Sequence, residues 1–165
     1  MDLAAPPAHA ALVDALRGTD MLVNAVGIFR AQGKQDFDAV HVNGARRLFD
    51  AAAAAGVRRF VQVSALGARD DAGTAYFTSK ARAEAHVRTL PGQVTVVRPS
   101  LVFAPHGAST RFLLAVATSP LAPLPDGGHQ HVQPIHVDDL ADAIVAAALA
   151  PRPPATLDAP GPRAL

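Results

Sequence analysis

The feature that most constrains this chain is an alternation of short apolar runs with longer helical patterns. Three runs are strand-like: Met21 to Val26 within DMLVNAVGIF, Arg58 to Leu66 (RRFVQVSAL), and QVTVVRP ending at Pro99. A continuous apolar run of that length suits a strand covered on both faces, as in a parallel sheet. Pro6 and Pro7 lead into a helix stopped at Gly18. From Asp36 to Ala55 a second helical pattern sets Phe37, Val40, Gly44, Leu48 and Ala52 on one face, with Gly56 in the C′ position. Thr74 can cap a third helix running to about Leu90. Ser109 can cap a short helix through Ala117, and Asp138 a last one through Ala150. HVQPIHV between them reads as a short extended piece, and the closing residues 151–165 as loop.

This order predicts an α/β fold, a parallel sheet with helices on both faces. Chemistry in such folds lies at the carboxyl ends of the strands. Ala25 to Gly27, Ser64 to Leu66 and Pro99 to Phe103 should therefore share one edge.

Composition removes several alternatives. Cysteine is absent, which excludes disulfides and thiolate chemistry. The formal net charge is +1 with scattered arginines, which does not fit a nucleic-acid-binding surface. No apolar run approaches the roughly 18 residues of a membrane span, and the first residues lack a secretory pattern, so a cytoplasmic protein is expected. His129, His131 and His136 could share a strand face, but no cysteine joins them and no metal is expected.

The sharpest chemical signal is Tyr76-Phe77-Thr78-Ser79-Lys80, in a chain with one tyrosine. Residues i and i+4 lie one turn apart on one helix face. A phenol titrates near pH 10, about three units too high for acid–base work at neutrality, and a neighbouring ammonium is expected to lower it. Ser64, twelve residues before Tyr76 at the end of a strand, can hydrogen-bond a substrate carbonyl oxygen.

Ser64, Tyr76 and Lys80 resemble the triad of the short-chain dehydrogenase/reductase superfamily. NAVGIF, VNGARRLFDAAAAAGVRRFVQVSALGA, AYFTSKARAEAHVR, VTVVRPSLVFAPHG, QPIHVDDLADAIVAAAL and LDAPGPRAL are similar to its atypical, extended-type branch. The likeness is greatest to the branch of the complex I Rossmann-fold accessory subunit, which shades into epimerases and dehydratases. It implies a dinucleotide cofactor, NAD or NADP, and a carbonyl or sugar-like substrate. A second function it implies is that of a non-catalytic NAD(P)H-binding subunit or sensor. By this resemblance Tyr76 is the general acid/base, Lys80 holds the nicotinamide ribose, and Ser64 polarises the carbonyl. Asn43 supports a proton-relay water. Ala25, Val26 and Gly27 pass close to the cofactor, and Pro99, Ser100, Leu101 and Val102 pack on the nicotinamide amide. Asp2 and Leu3 contact adenine.

The same resemblance places a first strand and a glycine-rich turn before Asp2, and the sequence contains neither G-x-x-G-x-x-G nor G-x-G-x-x-G. Backbone N–H groups of that turn are the largest anchor for the pyrophosphate. The reading is therefore a partial Rossmann-type domain over residues 1–150, followed at 151–165 by the start of a substrate lobe, as a fragment of a longer protein. Losing the preceding strands bares the edge of the strand at 20–26, where self-association is expected.

Overall fold

The computed structural model describes residues 2–33, 36–120, 127, 129 and 131–165. Helix α1 (His9–Leu16) leads into strand β1 (Met21–Asn24). A π-helical segment, Asp38–Gly44, runs directly into α2 (Ala45–Ala54). Strand β2 (Arg59–Val63), α3 (Ala75–Val87) and β3 (Gln93–Pro99) follow. The short β4 (Val102–Phe103), α4 (Ala108–Ala117), β5 (Ile135–His136), α5 (Val137–Leu149) and β6 (Thr156–Ala159) complete the chain. The main sheet has the order β1-β2-β3-β6, all parallel, and β4 pairs with β5 in a separate parallel ribbon.

Alternating side chains along the central strands build two cores, one on each face of the sheet. Phe60 and Val96 point to the face covered by α2 and α3, where they pack with Phe49, Ala52, Val57 and Val87. The rings of Phe49 and Phe60 meet edge to face, centroids 6.0 Å apart. Val61 and Val97 point the other way, onto Leu140 and Ala148 of α5 and onto Ile135 and Ala159. Each such fully buried side chain is worth about 1.5–3 kcal/mol. Arg59 crosses from β2 to the far end of α5, where its guanidinium donates to Ala148 O at 3.1 Å. A cation at a helix C-terminus meets carbonyls that have no partner within the helix.

The α/β layering and the parallel sheet agree with the expectation from the strand runs. Val40, Gly44, Leu48 and Ala52 are all buried, and Gly56 closes α2 with a φ of 92°. Thr74 caps α3 by accepting from Phe77 N–H at 3.4 Å. Three local expectations are corrected. Helix α4 begins after Gly107 without a side-chain cap, while the Ser109 hydroxyl donates to Val102 O at 3.3 Å. The cap of α5 is His136, whose ring accepts from Asp138 N–H at 3.3 Å.

The third correction concerns residues 151–165. They hold β6, which pairs with β3 from Val96↔Thr156 to Pro99↔Ala159, so this stretch adds a strand to the sheet where loop is expected. Gly161 fixes the exit of β6: its N–H donates to Gln133 O at 3.0 Å, and an added Cβ would lie 1.6 Å from Pro134 O.

Candidate functional site

The carboxyl ends of β1, β2 and β3 align by register, Asn24 beside Gln62 and Val63 beside Val97. A polar network crosses the sheet there. Val26 N–H donates to Asn24 Oδ1 at 3.1 Å, Asn24 Nδ2 donates to Gln62 Oε1 at 2.9 Å, and Gln62 Nε2 donates to Val63 O at 2.7 Å. Asn24 and Gln62 are nearly sealed from water, so each bond satisfies a group that would be costly to bury alone. This network turns the chain out of β1 into the exposed residues Ala25, Val26 and Gly27.

Lys80 reaches the same carbonyl from α3, its Nζ donating to Val63 O at 3.2 Å. It is only 4 % exposed. Burial lowers its pKa to about 8, against the pull of Glu84 one turn on, which raises it. Gly27 lies directly against this ammonium. A Cβ built there would stand 3.1 Å from Lys80 Nζ and 3.5 Å from His41 Nε2. A side chain at this point of the turn after β1 would thus need the lysine to shift by a few tenths of an ångström.

Tyr76 is half-buried, one turn before Lys80 on α3. Its ring meets those of Phe37, His41 and Phe77 edge to face, with centroids 5.2 to 5.9 Å apart. Burial raises the pKa of its phenol. The expected lowering by Lys80 is therefore corrected. The ammonium spends itself on a backbone carbonyl and is itself partly desolvated, so removal of the phenol from water dominates.

His41 is a functional candidate that the sequence reading did not single out. It is 2 % exposed. Its Nε2 accepts from Ile28 N–H at 3.0 Å, and its Nδ1 lies 2.9 Å from Ser79 Oγ. Burial and then Lys80 lower its pKa to about 4, so the ring is neutral near pH 7. A signal was present in the sequence: His41 lies four residues after Phe37 and seven before Leu48, on the buried helix face.

The other expected residues lie around this sheet edge and on the helices beside it. Ser64 is 3 % exposed, and its enclosed Oγ makes no hydrogen bond by geometry, although it lies near enough to Glu84 to favour that carboxylate. Asn43 is exposed and lines a cleft of about 290 Å³ with Leu3, Pro6, Arg46 and Arg47, a cleft that neither Tyr76 nor Lys80 lines. His41, not Asn43, is the residue of this segment that meets Tyr76. Leu3 is buried against Val40 and Leu48, and exposed Asp2 accepts from Ala4 N–H at 2.9 Å. Pro99 O accepts from Leu66 N–H at 2.8 Å, and the Ser100 hydroxyl donates to Gln133 O. Leu101 O accepts from Ile135 N–H at 3.0 Å, and Val102 pairs with Ile135 in β4. These contacts bind the segment after β3 to β5 and β6.

Beneath the site, Glu84 is nearly buried and held bidentately by Arg98, at 2.9 Å to Nε and 2.6 Å to Nη2. Burial acts to raise the Glu84 pKa, but the hydrogen bonds and charges of Arg98, with Ser64 and Arg88, bring it below the usual carboxylate value.

A family model described as NAD(P)H-binding matches residues 4–151. The chain belongs to this NAD(P)H-binding family. Its fold is that of a Rossmann-type NAD(P)-binding domain. Among curated relatives, it is 34 % identical over 131 residues to a ceramide reductase of Caulobacter vibrioides, covering 79 % of this chain and 41 % of that protein. It is 30 % identical over 131 residues to the mitochondrial NADH-ubiquinone oxidoreductase 40 kDa subunit of Neurospora crassa, covering 79 % and 34 %. The chain thus spans 34 % and 41 % of the length of these two relatives. Among solved structures, MoeE5 in complex with UDP-glucose and NAD superposes with a TM-score of 0.77 at 19 % identity, over 100 % of this chain and 63 % of that one. A dTDP-glucose 4,6-dehydratase double mutant from Streptomyces venezuelae with NAD bound gives 0.70 at 23 % identity, over 100 % and 58 %. At such identities the likeness is one of fold. Among the described residues no helix is long and apolar enough to cross a membrane, and no group of three His, Asp or Glu side chains could hold a metal.

Proposed function

We propose that this domain carries the nicotinamide side of an oxidoreductase site of short-chain dehydrogenase type, acting on a carbonyl or sugar-like substrate. The observation that carries this reading is Gly27 pressed against the Lys80 ammonium, with Tyr76 one turn away on the same helix. A cradle that a Cβ would fill, backed by a buried cation, fits the approach of a nicotinamide ribose. The dinucleotide, when bound, supplies or accepts the hydride.

The residues of the chain divide the remaining work. Lys80, charged below about pH 8, offers its ammonium hydrogens to ribose hydroxyls while staying anchored on Val63 O. Ala25 to Gly27 and Pro99 to Val102 border the nicotinamide. Tyr76 would give its proton to a substrate oxygen as a carbonyl is reduced; burial holds its pKa above the usual value, so bound dinucleotide and substrate must lower it for efficient transfer at neutral pH. Anchorage of the pyrophosphate falls outside these residues, since the sequence holds no glycine-rich turn.

One observation favours a second reading. The Ser64 hydroxyl is enclosed, so the third member of the expected triad is not offered to a substrate. That suits a dinucleotide-binding subunit without turnover, in line with the relationship to the 40 kDa subunit of NADH-ubiquinone oxidoreductase.

Oxidation of NADH and NADPH in the presence of aldehydes, ketones and keto sugars separates the two. The first reading expects oxidation that Tyr76→Phe abolishes while dinucleotide binding persists. Retained oxidation in Tyr76→Phe contradicts it, and binding without oxidation by any substrate supports the second.

A further inference from the structure

We propose that His41 is a positioning residue, a neutral bracket that fixes the turn after β1 against the helix carrying Tyr76 and Lys80. The inference deepens the dinucleotide-site reading and rests on it for its consequence, though not for its geometry.

Each ring nitrogen of His41 is committed to a different element. Nε2 accepts from the backbone N–H of Ile28, which ends the turn 25–28. An accepting Nε2 in a neutral imidazole leaves the proton on Nδ1, so Nδ1 donates to Ser79 Oγ. Ser79 in turn donates to Tyr76 O at 2.8 Å. The series from Ile28 N–H through His41 and Ser79 to the backbone of Tyr76 therefore has one direction and one tautomer. Ser79 is fully buried and His41 nearly so, which leaves no water to replace either partner cheaply.

The location gives the bracket its consequence. Gly27, one residue before the bonded amide, is the residue whose Cβ would meet both Lys80 Nζ and His41 Nε2. Holding Ile28 holds the gap between the turn and the ammonium. His41 reaches this point from a π-helical segment, a wider coil that is frequent at functional sites and that changes which residues face inward. Its ring also abuts those of Tyr76 and Phe37, so it braces the phenol as well as the turn.

The test compares wild type with His41→Leu, His41→Gln and Ser79→Ala, using the full chain. Nitrogen NMR of wild type should show a neutral imidazole with the proton on Nδ1 at pH 7. In His41→Leu and in Ser79→Ala, amide exchange at residues 26–28 should rise about tenfold or more, as expected for one lost hydrogen bond, with the amides of Val61 and Val96 unchanged. Dinucleotide affinity should fall by a similar factor, and glutamine at 41, which offers both an acceptor and a donor, should recover most of it. A charged ring or the Nε2–H tautomer in wild type overturns the proposal. So does exchange that rises equally in the core strands, or a glutamine variant no better than leucine where wild type binds. If wild type binds neither NADH nor NADPH, the functional reading fails alone. The tautomer and the local exchange then decide the bracket by themselves.

Discussion

Arg98 on β3 grips Glu84 on α3 through two parallel hydrogen bonds, one helical turn beyond Lys80. The pair ties the helix of the candidate site to the central sheet. It also sets a carboxylate below the lysine, where it keeps the buried ammonium more basic than burial alone would.

Breaking this pair leaves the buried Glu84 carboxylate with only the longer Arg88 ion pair at 3.5 Å. Arg98→Met is expected to cost about 3–5 kcal/mol, the range for removing one member of a buried pair. Denaturant unfolding checks the value. The Glu84 pKa is lowered in the fold, so its contribution is present above the unfolded value near 4.3 and is lost as pH falls through the lower folded value. In Glu84→Gln the loss of stability below about pH 4.3 should be shallower than in wild type.

Lys80 has linkage of the same sign in a higher pH window. Its folded pKa of about 8 lies below the usual 10.5, so the unfolded chain binds more protons between these values and stability rises with pH across that window. Lys80→Met should flatten the rise between about pH 8 and pH 9.5, as read from midpoints in urea. A rise of unchanged slope in the variant would contradict the assignment of this titration to Lys80.

Two glycines should respond differently to alanine. At Gly161 the new Cβ meets backbone, Pro134 O at 1.6 Å, so Gly161→Ala must displace the β6 exit and should lose at least about 1–3 kcal/mol. At Gly27 the nearest contact is the end of a flexible side chain, 3.1 Å away. Gly27→Ala should fold with nearly wild-type stability while weakening dinucleotide binding. Thermal unfolding beside ligand titration distinguishes these outcomes.

Strand β1 is an edge of the sheet and exposes Val23. An apolar edge invites pairing with another chain. Concentration-dependent association is expected in sedimentation velocity, and Val23→Lys should reduce it. Association that is unchanged by the substitution places the contact elsewhere.

The parts that were legible in the sequence share a physical origin. Short strand-like runs at 21–26, 58–66 and 93–99, alternating with helical patterns, imply a parallel sheet covered on both faces, and the shared helix face of Tyr76 and Lys80 follows from their spacing. Strand β6 was hidden because Pro151, Pro153, Pro154 and Pro160 surround a strand of four residues, and its partner β3 is distant in sequence. In this segment the family resemblance implies a role for Asn43 and none for His41. The π-helical coil then left Asn43 at the surface and turned His41 inward. Ser64 sits at the strand end as its position implied, but the direction of its hydroxyl depends on Glu84 and on the fold around it. Sequence spacing holds no record of that direction.

The central claim is that Gly27, Tyr76 and Lys80 form the nicotinamide side of a dinucleotide site. Amide NMR shifts of the full chain during titration with NADH and NADPH test it most directly. The account predicts saturable shifts concentrated at residues 25–28, 76–80 and 99–102, which weaken in Gly27→Ala. Saturable shifts confined to the cleft lined by Asn43, Arg46 and Arg47, or none at any of these residues at millimolar ligand, would contradict it.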